Sequence, residues 1–113
     1  MKAPTITATR PTANGIELDL IVDPALVWFQ GHFPDLALLP GVVQLDWALA
    51  LAAEHLAVMV PSCRNFQVKY KAGIFPGDHL TLALRHDPAK GRLNFEYRRD
   101  GHLCSTGGLK VPS

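Results

Sequence analysis

Apolar and polar positions alternate with a period of two along much of this 113-residue chain, and give way once to a long apolar run. Residues 15–22 place Ile16, Leu18, Leu20 and Val22 on one face and Glu17, Asp19 and Ile21 on the other, the pattern of a half-buried strand. A shorter candidate strand, residues 5–9, precedes it. Four more follow in the second half: 63–71 with Phe66, Val68 and Tyr70 alternating, 78–86 with Leu80, Leu82 and Leu84, 92–99 with Leu93, Phe95 and Tyr97, and 102–111. Turn signals separate them: Phe75-Pro76-Gly77-Asp78, the run from Asp87 to Gly91, and Asp100-Gly101, the last a strong hairpin marker. Gly107-Gly108 predicts a bulge or bend inside the final strand.

The apolar run, from Gly41 to about Val60, predicts a helix that Pro40-Gly41 opens and Pro61 ends. Only Gln44, Asp46, Glu54 and His55 interrupt it. A stretch of ~20 apolar residues is long enough to span a bilayer, but two carboxylates among those four residues make that costly. A helix that is apolar all round must otherwise be wrapped by protein, so the pattern predicts a buried central helix. Before it, residues 25–40 form an irregular stretch holding Trp28, Phe29, Gly31, His32, Phe33 and two prolines, and so long a loop in a compact domain is usually functional. The whole reads as an α+β chain: two strands, one helix, then four antiparallel strands. A single curved sheet wraps such a helix on one side only. A second copy is the simplest cover for the other side, which predicts a dimer.

Length fits one domain, residues 1–113, with no room for two. A hydrophobic fraction of 48% against 19% charged residues excludes a disordered chain. Two cysteines, Cys63 and Cys104, are too few for a disulfide scaffold, and neither has a local motif that would activate a thiol. With no cationic start leading into an apolar core, the expectation is a reduced, cytoplasmic protein. The net charge of +1 hides an asymmetry: residues 1–60 hold two cations against six carboxylates, residues 61–113 nine against four. That imbalance predicts a basic surface for an acidic partner, with a merely solvated sheet face as the equal alternative. The near-neutral total and the lack of an aromatic–basic motif argue against nucleic acid. His55, His79, His86 and His102 have no metal-site spacing, so no metal is expected.

The chemistry concentrates between His32 in the pre-helix loop and Asp46, fourteen residues on, inside the apolar helix. Val42, Val43, Leu49 and Ala50 around Asp46 are all apolar, so a carboxyl buried among them is expected to be desolvated and to favour its neutral form. A neutral carboxylic acid can give a proton and a neutral imidazole can take one, the opposite tendencies that elimination of water requires. Gly41 adds a helix N-terminus, where unpaired N–H groups and the dipole favour a developing oxyanion. Each has a plainer reading. His32 alone fits a loop histidine bonded to backbone, Asp46 alone a carboxylate that caps or pairs, and Pro-Gly is an ordinary entry to a helix. Together, their spacing is much more specific.

Gly31-His32-Phe33-Pro34, Pro40-Gly41 and Asp46 fall in register with the signature of the hotdog-fold β-hydroxyacyl-[acyl carrier protein] dehydratases of fatty acid synthesis, which this chain resembles. Phe66-Gln67-Val68-Lys69-Tyr70 and Phe75-Pro76-Gly77-Asp78 resemble the family's following strand and turn. The stretches Trp28 to Pro34 and Leu39 to Trp47 are more narrowly similar to the dehydratases of aryl polyene biosynthesis. The resemblance implies a single hotdog domain and a cofactor-free dehydratase acting on 3-hydroxyacyl thioesters of acyl carrier protein. It implies that His32 removes the α-proton, that Asp46 from the other subunit of a homodimer protonates the departing hydroxyl, and that the Gly41 N–H holds the thioester oxygen. Phe33, Leu38, Leu39 and Val42, with Leu45, Trp47 and Phe75, are candidates to line an acyl tunnel, plain core packing being the alternative for most. Arg64, Lys69, Arg98 and Arg99 are candidate cations for docking the acidic carrier.

Three positions depart from the family pattern. Asp46 stands where the common form has Glu, Ala37 where a proline is expected, and Ala50 where a glutamine often helps hold the acid and a water. They keep two other readings open: a hotdog acyl thioesterase in which Asp46 activates water, and a non-catalytic partner subunit of an active hotdog protein.

Overall fold

The protein is described by a computed structural model that covers residues 3–23, 38–58 and 66–111. The elements run in the order β1 (Thr5–Thr12), β2 (Gly15–Ile21), α1 (Gly41–Leu56), β3 (Phe66–Tyr70), β4 (His79–Asp87), β5 (Arg92–Arg99) and β6 (His102–Lys110). The six strands form one antiparallel sheet in the order β1-β2-β4-β5-β6-β3. This is the hotdog arrangement that the resemblance implied: one helix laid against one open sheet.

The period-two pattern places the core where it predicts. Leu18 and Leu20 of β2, Leu82 and Leu84 of β4, and Leu93 and Phe95 of β5 point inward and are essentially inaccessible. Asp100 and Gly101, at φ 51° and 80°, make the tight β5–β6 turn, and both carry the positive φ that a two-residue hairpin loop of this kind demands. β1 runs on through Pro11 to Thr12, which a sheet-edge strand tolerates because a missing N–H there breaks no internal ladder.

Gly107-Gly108 is not the site of the bulge. The register stays regular there, with Gly107 opposite Phe95 and Gly108 opposite Asn94. A Cβ at 107 would come within 2.6 Å of the Phe95 ring, and one at 108 within 2.5 Å of Asn94 Oδ1, so the glycines make room for their neighbours. The irregularity falls instead beside Tyr97 and Arg98, where Cys104 is the unpaired residue of β6. There its carbonyl accepts the N–H groups of Lys71 and Ala72 at 2.8 and 3.0 Å. The bulge thereby seats the chain as it leaves β3. Cys104 is buried, and burial pushes its thiol above the ordinary range; Cys63 lies outside the described residues.

The helix is shorter than its apolar run. α1 ends at Leu56, and Ala57 turns left-handed at φ 54°, its N–H donating back to the Ala52 carbonyl. Its inward face packs Val43, Leu45, Ala48, Leu49 and Ala52 on the sheet. Val42, Asp46, Ala50, Ala53 and Glu54 form an exposed stripe on the side the sheet does not reach. Asp46 is therefore not sequestered as its neighbours in sequence led one to expect. Val43 and Leu49 turn toward the sheet, while Val42 and Ala50, one turn away on either side, share the open face with it. Among the described residues, no helix is long and apolar enough to cross a membrane.

Candidate functional site

The entry to α1 is tied by backbone hydrogen bonds on both sides of Pro40. Pro40, at φ −59° and ψ 143°, is the residue from which the helix starts, and no side chain caps it. Its carbonyl accepts the N–H groups of Val43 and Gln44 at 3.0 and 3.2 Å. Among the described residues, the Gly41 and Val42 amides have no acceptor, as expected for the first turn of an uncapped helix. Leu39 anchors the approach by donating its N–H to the Ile74 carbonyl at 2.8 Å.

Gly41 borders a cavity of about 370 Å³, lined also by Leu38, Leu39, Gln44, Tyr70 and Gly73. Tyr70 lies directly over Gly41: a Cβ there would approach its Cζ and Oη to 2.5 Å, so only glycine lets the ring close on the backbone. Partial burial raises the Tyr70 hydroxyl above its ordinary pKa, keeping it a neutral donor at physiological pH. Gly73, at the cavity's edge, leads into the Phe75-Pro76-Gly77-Asp78 turn. Gly77 takes φ 85°, the Asp78 carboxylate accepts the Phe75 N–H at 2.8 Å, and Arg99 donates to both Asp78 and the Gly73 carbonyl at 2.7 and 2.8 Å.

Beneath the cavity sits a buried polar cluster. Gln44 is only 4% exposed, Ser105 and Tyr97 not at all. Tyr97 donates its hydroxyl to the Gln44 backbone carbonyl at 2.6 Å, and Ser105 donates to Gln44 Oε1 at 2.7 Å. Gln44 Nε2 in turn donates to the Leu39 carbonyl at 3.3 Å. Burial, with a smaller contribution from Tyr70, pushes the Tyr97 hydroxyl well above its ordinary pKa. Sequence reasoning counted Gln44 only as an interruption of the apolar run. The available signal was an amide at an inward-facing position of an otherwise apolar helix.

Of the residues singled out from sequence, Gly41 borders the cavity and Asp46 stands on the exposed stripe. They are five residues apart on one helix, about 140° round its axis and ~7.5 Å along it. One chain thus presents the two groups in different directions. His32 and Phe33 lie outside the described residues. Leu38 and Leu39 line the cavity, the first 41% exposed and the second buried; Val42 is exposed at 64%, Leu45 and Trp47 are core residues, and Phe75 is exposed beside Gly73. Of the candidate docking cations, Arg99 pairs with Asp78, and Arg98, 42% exposed, pairs with Glu96 at 3.0 Å. Lys69 is exposed on β3, and Arg64 lies outside the described residues.

The sequence profile described as ApeI-like, ApeI dehydratase, matches residues 8–108. The chain is 34% identical over 93 residues to the 3-hydroxyacyl-[acyl-carrier-protein] dehydratase FabZ of Lactococcus lactis subsp. cremoris (strain SK11), a match covering 73% of this chain and 64% of that one. It is 30% identical over 114 residues to the FabZ of Neisseria meningitidis serogroup C (strain 053442), covering 88% and 74%. The match thus spans under two thirds of the Lactococcus relative's own length. Among solved structures, the dehydratase heterocomplex ApeI:P from Xenorhabdus doucetiae superposes with a TM-score of 0.83 at 33% identity, covering 97% of this chain and 98% of that one.

Proposed function

The chain belongs to the ApeI-like dehydratase family, and from that premise we propose that it eliminates water from a 3-hydroxyacyl thioester carried on acyl carrier protein. The product is a trans-2-enoyl thioester. The observation that carries this reading is the placement of Asp46 on the uncovered stripe of α1 while Gly41, at the helix entry, lines the cavity. A single chain does not aim the two at one point; a second hotdog chain packed on the stripe brings its own entry loop to Asp46.

In that arrangement His32 takes the α-proton, and the electrons of the broken C–H bond form the Cα–Cβ double bond. The β-hydroxyl leaves as water with a proton from Asp46 of the second chain. Gly41 N–H holds the thioester oxygen as negative charge gathers there, and one such donor is worth about 10²–10³ in rate. The elimination is redox-neutral, so these groups suffice. Leu38 and Val42, exposed beside the helix entry, would meet the acyl chain together with Phe33, while Leu39 supports them from the core. Lys69 and Lys71, exposed on and just after β3, are cations suited to an acidic carrier protein.

One finding favours a second reading of the assembly. The similar Xenorhabdus structure is a heterocomplex, so the chain packed on the stripe is either a second copy or a different hotdog subunit. Purified protein incubated with 3-hydroxyacyl N-acetylcysteamine thioesters of several chain lengths should give the conjugated enoyl product, and His32→Ala should abolish it. Activity that appears only with a co-expressed hotdog chain selects the heterocomplex. No product in either preparation, or full activity in His32→Ala, contradicts the dehydratase reading; free thiol without enoyl product points to a thioesterase.

A further inference from the structure

Resting on the reading of Gly41 as the oxyanion donor, we infer that Gln44 is the residue that positions this amide, with Ser105 orienting its carboxamide. A leucine or methionine would fill the same inward-facing space at no polar cost. A buried carboxamide is destabilising unless its groups are bonded, by about 1–3 kcal/mol for each group left unsatisfied. Gln44 is nonetheless kept in the first turn of the helix, and its bonds run to one place. Oε1 is pinned by the Ser105 hydroxyl at 2.7 Å, which turns Nε2 toward the Leu39 carbonyl at 3.3 Å.

Leu39 is thus held at both ends of its backbone, its N–H on Ile74 and its carbonyl on Gln44. Pro40 supplies a ring-locked φ of −59°. With Leu39 tethered and Pro40 rigid, the direction of the next N–H, that of Gly41, has little freedom left. The Tyr97 bond to the Gln44 carbonyl ties the same turn to the sheet from below. An oxyanion donor must lie about 2.7–3.1 Å from the charge that develops, so this frame converts a flexible Pro-Gly entry into a fixed donor. Gln44 acts through Gly41 and is a positioning residue.

The test is Gln44→Met, which keeps the apolar volume and removes both side-chain bonds, assayed in whichever oligomer the wild-type chain turns over. The expected result is a kcat of the folded protein lowered about tenfold to a hundredfold with KM within about twofold, together with a lower thermal midpoint, because the buried Ser105 hydroxyl and Leu39 carbonyl lose their partners. Ser105→Ala should lose several-fold in kcat, and the double variant no more than Gln44→Met alone, because the two act as a unit. A purely structural role would lower the midpoint as well but leave the kcat of the folded fraction intact. Full kcat in folded Gln44→Met overturns the inference and leaves the dehydratase reading standing. Should Gln44→Met not fold, full kcat in Ser105→Ala overturns it equally. A wild-type chain that forms no enoyl product overturns both.

Discussion

Asp46 can be changed without disturbing the core, because it stands on the open stripe of α1 between Val42 and Ala50. Asp46→Asn keeps the volume and removes the acid. Dehydration should fall by about 10²–10⁴, the worth of a positioned acid, in protein that calorimetry shows to be folded, checked by enoyl absorbance. A large drop in midpoint would mark the carboxylate as structural. The fourteen-residue interval from His32 to Asp46 was legible because spacing is a property of sequence. The exposure of Asp46 was not. Neighbours in sequence are apolar whether they face the sheet or the side it leaves open, and only the packing of α1 tells the two apart. Gln44 was illegible for the converse reason, since its partners Ser105 and Tyr97 come from strands more than fifty residues away.

At the scale of elements, the six strands were visible as period-two runs, and the Asp100-Gly101 turn as a dipeptide with one strong conformational preference. Two details needed the third dimension. The β6 bulge falls at Cys104 because the chain leaving β3 needs an acceptor for Lys71 and Ala72, a demand no local pattern carries. The helix stops at Leu56 with an alanine in the left-handed position, where a glycine would have announced the end. The buried Tyr97 gives the helix–sheet junction a testable pH response. Its native pKa is raised above the unfolded value of about 10, so the unfolded chain ionises first. Its contribution is therefore complete below about pH 10 and lost as pH climbs toward the native value. Urea melts should show wild-type stability falling above pH 10, and Tyr97→Phe falling less steeply after losing about 1 kcal/mol at neutral pH. Equal alkaline slopes would contradict this.

The whole molecule is one sheet with one helix, and its exposed stripe of Val42, Ala50 and Ala53 around Asp46 is the face of α1 that the sheet leaves open. On the proposed function, covering it with a second hotdog chain removes apolar surface from water and completes the site in one step. Val42→Arg, at a position 64% exposed in the single chain, should leave the fold intact and shift the protein to monomers in light-scattering chromatography, with activity lost in parallel. A monomeric wild type that dehydrates at full rate would contradict the shared site. The architecture could be read from the order of patterns, and the open face of α1 from a helix apolar on more faces than one sheet can cover. What covers that face is a property of surfaces that a single sequence does not display.

Subunit complementation tests the central claim most directly. His32→Ala and Asp46→Asn proteins, each inactive alone, are unfolded together and refolded as a one-to-one mixture, with mixed dimers confirmed by mass. If His32 and Asp46 meet across the boundary between two copies, each mixed dimer carries one intact site, and random pairing restores about a quarter of wild-type activity. Mixed dimers that form and remain inactive would contradict the account.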